Sequence, residues 1–291
     1  MFPIATLTLL ALVASNRSDP PSGESTPFRS SPGRSVAVAV MLNGTGPFQF
    51  LLDTGSSHSV ISEELAQTLR APVAARTVVA TPIGEAVRLV VRLDRLELGP
   101  VIVAGALPSL LPQRSIDESG RIEGVIGQDI LAARRFTIDF RRRLIVWHAE
   151  SATLSCAGPE LRLHLEEGRF VVELPQRGSV LRLVPDTGAA GLVLFRKDGH
   201  PAVSADVSAG RAELATLTRR AIAERGTLPE LRVGAVTLRA VPVVLVRRDV
   251  GGFPAEDGLL PLDLFDSVTI DGPSRVMFIG GERLTLKRAK P

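Results

Sequence analysis

Two stretches of this 291-residue chain repeat one another at a nearly constant distance, and that repeat restricts the architecture more than any other feature. Asp53-Thr54-Gly55 closes the apolar run "FQFLLDTG" and returns 133 residues later as Asp186-Thr187-Gly188, at the end of "VLRLVPDTG". Residues 93–108, "LDRLELGPVIVAGALP", align with residues 228–242, "LPELRVGAVTLRAVP". "EGVIGQDIL" at 123–131 aligns with "DGLLPLDLF" at 257–265, and "RFTIDF" at 135–140 with "SVTIDG" at 267–272. Four landmarks in one order, at offsets of 133 to 135, mark a duplication. The period is far too long for a solenoid, so each copy is a lobe. A length of 291 residues agrees, since a domain takes roughly 150.

Each lobe reads as β-rich. Apolar residues make up 45% of the chain and aromatics only 4%, so branched aliphatics must fill the core, which favours strands. Residues 36–42 are apolar, Asn43-Gly44-Thr45-Gly46 is a hairpin signal, and residues 48–52 return as a strand. Ser62 is placed to cap a short helix that has Glu63 and Glu64 in its first turn. Residues 77–99 alternate around Pro82-Ile83-Gly84-Glu85 and predict a long projecting hairpin. Residues 128–135 predict a short helix, followed by strands at 136–140 and 144–147. The expected class is all-β with few short helices.

A strand that ends in Asp-Thr-Gly-Ser, a central hairpin, and Gly-Val-Ile-Gly before a short helix together resemble the retropepsin-like aspartic peptidases, here with two lobes duplicated in one chain. The resemblance implies a bilobal acid-protease fold, two retropepsin-like β-barrel lobes related by a pseudo-two-fold axis. It spans residues 35 to about 278. Expected boundaries are a signal peptide at 1–15, a flexible linker at 16–34, and lobes at 35–150 and 151–291.

The chemistry needs such a pair. Two carboxyls about 3 Å apart cannot both ionise comfortably, so they share a proton. The ionised member takes a proton from water, and the protonated one protonates the amide carbonyl oxygen. One strand end supplies one acid, and two facing lobes supply two. Asp53 and Asp186 are therefore the expected catalytic dyad. Gly55 and Gly188 allow the turns to approach closely. Thr54 and Thr187 must find buried partners, and the resemblance implies that each reaches the opposite lobe's backbone. Ser56 follows the first motif and Ala189 the second. A serine hydroxyl can stabilise a neighbouring carboxylate and alanine cannot, so Asp53 is expected to be the ionised member and Asp186 the protonated one. Pro261 stands where lobe one has Gly127, which removes a backbone donor and puts the symmetry of support beneath the turns in question.

Pro82, Ile83 and Gly84 are the candidate flap, a mobile lid over bound peptide. Lobe two has residues 211–226, "RAELATLTRRAIAERG", at the matching place, and this copy is expected to be helical or shortened. The chain has no tyrosine, so a pepsin-type flap tyrosine is impossible. Asp139 and Asp271 read as structural acids at strand ends, and Asp129 and Asp263 as early helix acids favoured by the dipole. Ser56 and His58 are too close in sequence to suggest a hydrolase pair.

Other classes are disfavoured. Cys156 is the single cysteine and the four histidines are scattered, so neither a metal site nor a disulfide is expected, and no cofactor is implied. Net charge is only +3, and the run Arg141-Arg142-Arg143 lacks interleaved aromatics, so no nucleic-acid partner is expected. Residues 1–15 read as an export signal, either cleaved or kept as an anchor, directing the chain to a bacterial periplasm or beyond. The expected function is an aspartic endopeptidase acting on polypeptide as a monomer whose two lobes build one site. The alternative is a peptide-binding or scaffold module that keeps the fold without turnover.

Overall fold

The computed structural model describes residues 23–30, 35–81, 84–149, 154, 158–176, 178–196, 206–215, 220–247 and 256–282. Its first strand, β1 (Ser25–Ser30), corrects the linker expected at 16–34 for residues 25–30, while 16–22 and 31–34 lie outside the described residues. Thr26 and Phe28 are buried while their neighbours are exposed, a period-two pattern hidden by the Ser- and Pro-rich composition. β2 (Val36–Leu42) turns through Asn43 and Gly44, both at positive φ, into β3 (Thr45–Leu52). After β4 (Val60–Ser62) comes α1 (Glu63–Thr68), capped as expected: Ser62 Oγ accepts from the Leu65 N–H at 3.1 Å.

The projecting hairpin consists of β5 (Val73–Thr81) and β6 (Gly84–Val91). Gly84 opens β6 opposite Thr81, and the other flap candidates, Pro82 and Ile83, lie outside the described residues. A second hairpin, β7 (Leu93–Leu98) and β8 (Val101–Ala106), leads to β9 (Ser109–Leu111), which runs parallel to β4. Past the short α2 (Gln113–Ile116), β10 (Gly124–Ile126) inserts parallel to β3 and antiparallel to β4. Then follow α3 (Gln128–Leu131), β11 (Arg135–Asp139) and β12 (Leu144–His148).

Lobe two repeats this order with β13 (Glu160–Glu166), β14 (Arg169–Gln176), β15 (Ser179–Asp186) and β16 (Leu192–Arg196). It continues with β17 (Asp206–Ala215), β18 (Arg220–Val233), β19 (Val236–Arg247) and β20 (Gly258–Pro261). A 3-10 turn at Leu262–Leu264, β21 (Phe265–Asp271) and β22 (Val276–Glu282) complete it. The pairings match: β20 lies parallel to β15 and antiparallel to β16, as β10 does to β3 and β4. β18 runs unbroken over the course taken by β6 and β7 in lobe one. The expectation of a helical or shortened second hairpin is corrected here, because β17 and β18 pair antiparallel. Pairing against β19 along most of β18 overrides the helix-like composition of residues 211–226.

The lobes join through a six-stranded sheet in the order β1-β12-β11-β21-β22-β13. At its centre Thr137 pairs with Thr269 and their hydroxyls lie 2.7 Å apart, so the pseudo-two-fold axis passes between them. Phe136, Ile138, Ile145 and Trp147 from lobe one and Val268, Ile270, Met277 and Ile279 from lobe two are buried in one continuous core. The Trp147 indole N–H donates to Thr26 Oγ1 at 2.8 Å, which ties β1 to this sheet. No helix among the described residues is long and apolar enough to cross a membrane.

Ile138→Ala removes a fully buried side chain next to the lobe junction and should cost about 2–5 kcal/mol. Urea unfolding followed by fluorescence of the single tryptophan, Trp147, reads this as a lower midpoint with an unchanged slope.

Candidate active site

Asp53 and Asp186 leave equivalent strands at equivalent places. The Asp53 N–H donates to the Ile126 carbonyl at 2.9 Å, and Asp186 ends β15 opposite Pro261 of β20. Each motif is therefore supported from beneath by the inserted strand of its own lobe. The threonines then cross the junction. Thr54 Oγ1 donates to Pro185 O at 2.8 Å and accepts from the Thr187 N–H at 3.1 Å. Thr187 Oγ1 donates to Leu52 O and accepts from the Thr54 N–H at 3.1 Å. All four bonds are buried, and both hydroxyls are satisfied by the opposite lobe's backbone.

This clasp presses each turn against the opposite acid. A Cβ on Gly55 would stand 2.5 Å from Asp186 Cγ, and one on Gly188 would stand 3.2 Å from Asp53 Cγ. Glycine is thus required at 55 by contact rather than by backbone conformation. The carboxyls share a hydrogen bond. Asp53 Oδ1 also accepts from the Gly55 N–H at 2.9 Å, and Asp186 Oδ1 accepts from the N–H groups of Gly188 at 2.6 Å and Ala189 at 3.1 Å.

Burial pushes Asp186 well above the usual carboxylate range, and the negative charge of Asp53 beside it pushes further. Burial also raises Asp53, opposed by hydrogen bonds from the Gly55 N–H, from Asp186 and from the Ser56 N–H. Both carboxyls are thus raised, Asp186 the more strongly, and the pair titrates as a unit. The hydroxyl expected to stabilise Asp53 is engaged elsewhere. Ser56 Oγ donates to the His58 carbonyl at 2.8 Å and does not reach Asp53.

The support beneath the turns differs between lobes in matched pairs. The Gly127 N–H donates to Ser59 Oγ at 3.0 Å in lobe one. At the corresponding places lobe two has Pro261 and Leu192, so donor and acceptor disappear together and no group is stranded. Asp129 is more than a helix-start acid: its Oδ1 accepts from the Ser59 N–H at 2.9 Å and from Ser59 Oγ at 2.7 Å. Asp139 accepts from the N–H groups of Arg141 and Arg142, and Asp271 from Arg135 Nε and the Ser274 N–H, so both are structural. Ser57 Oγ lies 2.8 Å from His58 Nδ1 at the exposed edge of the turn.

Sequence reasoning missed Gln128. Its side chain is buried, and Nε2 donates to the Thr54 carbonyl at 2.8 Å. The signal was available, since alignment of the repeats sets Gln128 against Leu262, a polar residue against an apolar one beside the motif. Among the described residues no group of three or more His, Cys, Asp or Glu is arranged to hold a metal ion.

The family model described as "Aspartyl protease" matches residues 38–130 and again 172–264, together more than half of the chain. The chain belongs to the aspartyl protease family. The two matches to the aspartyl protease model fall one in each lobe and each contains one Asp-Thr-Gly motif. Among solved structures the chain is similar to Basic 7S globulin from soybean, at 13% identity over 90% of this chain and 96% of that one, with a TM-score of 0.48. It is also similar to a retropepsin-like aspartic protease from Rickettsia conorii, at 15% identity over 46% of this chain and 95% of that one, with a TM-score of 0.32. No curated protein matches the sequence.

Thr54→Val removes one clasp donor and one acceptor and leaves Pro185 O and the Thr187 N–H unpaired in a buried seam. A loss of about 2–4 kcal/mol is expected in chemical denaturation. The acid pair gives a pH signature of opposite kind. Because the folded-state pKa of Asp186 is raised, its contribution to stability is fully present below the ordinary carboxylate value of 3.8 and is lost as pH rises through the elevated one. Asp186→Asn should therefore raise the Tm relative to wild type at pH 7 and lose that advantage towards pH 3. A Tm difference independent of pH would contradict this.

Proposed function

We propose that this aspartyl protease family member is an active endopeptidase that hydrolyses peptide bonds in polypeptides through the Asp53/Asp186 pair. The observation that carries the reading is the contact of two neighbouring carboxyls, buried Asp186 and part-buried Asp53, with Asp186 held well above its ordinary pKa by burial and by the other's charge. A site used only for binding would gain nothing from crowding two acids, and asparagine at either position would relieve the cost.

In the proposed cycle, ionised Asp53 takes a proton from a water molecule whose oxygen attacks the scissile carbonyl carbon. Asp186 gives its proton to the carbonyl oxygen, forming a neutral gem-diol. Collapse breaks the C–N bond: a carboxyl proton passes to the leaving nitrogen, and a gem-diol hydroxyl proton returns to the pair. No covalent enzyme intermediate is needed, and a clasp that keeps the carboxyls in register supplies the orientation. We read the paired hairpin of β5 and β6 as a lid over extended peptide, and its counterpart of β17 and β18 as a second. We further propose a monomer whose lobes share one site, exported by way of residues 1–15.

The test is cleavage of a mixed peptide library by wild type, Asp53→Asn and Asp186→Asn. Wild type should cleave, and each substitution should lower kcat/KM by at least about 10²–10⁴-fold. The pH–rate profile should be bell-shaped, with its alkaline limb displaced upward by the raised Asp186. Cleavage that survives either substitution overturns the dyad. Peptide binding without cleavage by wild type would instead favour a binding module.

A further inference from the structure

The two lobes give their Asp-Thr-Gly turns unequal support at one position. In lobe one Gln128 stands directly after the inserted strand β10 and its following glycine, with only 3% of the residue exposed. Its backbone N–H donates to Ser56 O at 2.8 Å and its side-chain Nε2 to Thr54 O, also at 2.8 Å. Lobe two has Leu262 there, fully buried and without a donor. The fold therefore accepts an apolar side chain at this place. Gln128 also carries a cost, because its Oε1 is buried with no hydrogen-bond partner. A residue that an isosteric hydrocarbon could replace to advantage, beside the reaction centre, calls for a role other than stability.

The geometry points to Gln128 as a positioning residue for Asp53. The Thr54 carbonyl that accepts from Gln128 belongs to the same peptide unit as the Gly55 N–H, and that N–H donates to Asp53 Oδ1 at 2.9 Å. The contacts run in series: side-chain amide to carbonyl, then amide N–H to carboxylate. Each bond in such a chain polarises the next. Gln128 thus orients the turn and strengthens the donor on Asp53, and lobe two has no equivalent on Asp186. Two identical turns facing each other would have no built-in preference for which acid ionises.

Few other charges bear on Asp53. Asp186 faces it across the junction and is the one titratable side chain that acts on it among the described residues. Asp129, next to Gln128, turns Oδ1 to Ser59, and His58 is exposed with Nδ1 on Ser57 Oγ.

The catalytic part of this inference rests on the proposed peptidase reading, so the experiment includes a readout that needs no turnover. Gln128→Met keeps the shape and removes the donor. Carboxyl-carbon NMR of the dyad should show the lower of the two apparent titration steps moved upward by roughly 0.5 pH units, since the Asp53 anion loses support. With peptide substrate, kcat should fall about five-fold, the worth of one ordinary hydrogen bond, at nearly constant KM, and the acidic limb should move the same way. Urea stability should be retained, as Leu262 implies. Titration steps that superimpose on those of wild type overturn the inference, even if wild type cleaves peptide. A shift in a chain that never cleaves peptide upholds the inference and removes the peptidase reading instead. Should Gln128→Met not fold, the wild-type Gln128 side-chain amide decides: slow exchange, with a Gly55 amide resonance that follows the Asp53 titration, supports the role, and exchange at the free rate overturns it.

Discussion

The reciprocal threonine clasp is the contact on which the candidate site depends. Two carboxyls in one buried place repel when both are charged and are costly to desolvate, so they separate unless something stronger holds their backbones. Here Thr54 and Thr187 each donate to and accept from the opposite lobe, and all four bonds are buried. They are placed at the residue after each aspartate, so the clasp fixes the acids almost directly. Gly55 and Gly188 then remove the Cβ atoms that would otherwise stand between them.

Beneath the clasp, the six-stranded sheet gives the two lobes a common floor. Its central pair, β11 and β21, carries the axis between Thr137 and Thr269, and its outer strands, β1 and β13, continue into the lobes. A shift of one lobe against the other would break sheet pairing, core packing and clasp together. The acids are held by the whole junction rather than by their own turns.

Duplication within one chain frees the halves to differ. Gly127 and Ser59 form a donor–acceptor pair whose counterparts, Pro261 and Leu192, have neither group. Gln128 and Leu262 differ otherwise, a side-chain donor in lobe one against an apolar side chain in lobe two. Changes of this kind leave the frame intact, because each removes or adds a matched set of polar groups, or an apolar side chain of similar size. A symmetric dimer of one half-length chain could not make them one side at a time.

Much of this was legible in order along the chain. The 133-residue repeat, the alternating strands, the Ser62 cap and the two Asp-Thr-Gly motifs are local patterns, and local patterns survive in a one-dimensional string. They determined a duplicated β-rich chain with one acid at the same strand end in each half. Three features were decided only in three dimensions. β1 is a strand because β2 and β12 complete it, β17 and β18 pair despite a helix-like composition, and Ser56 Oγ turns to His58 O instead of Asp53. Each depends on a partner distant in sequence or on a rotamer choice, and neither has a signature in composition. The raised pKa of Asp186 belongs to the same group. It arises from burial and from Asp53 beside it, a neighbour that only the closed junction supplies.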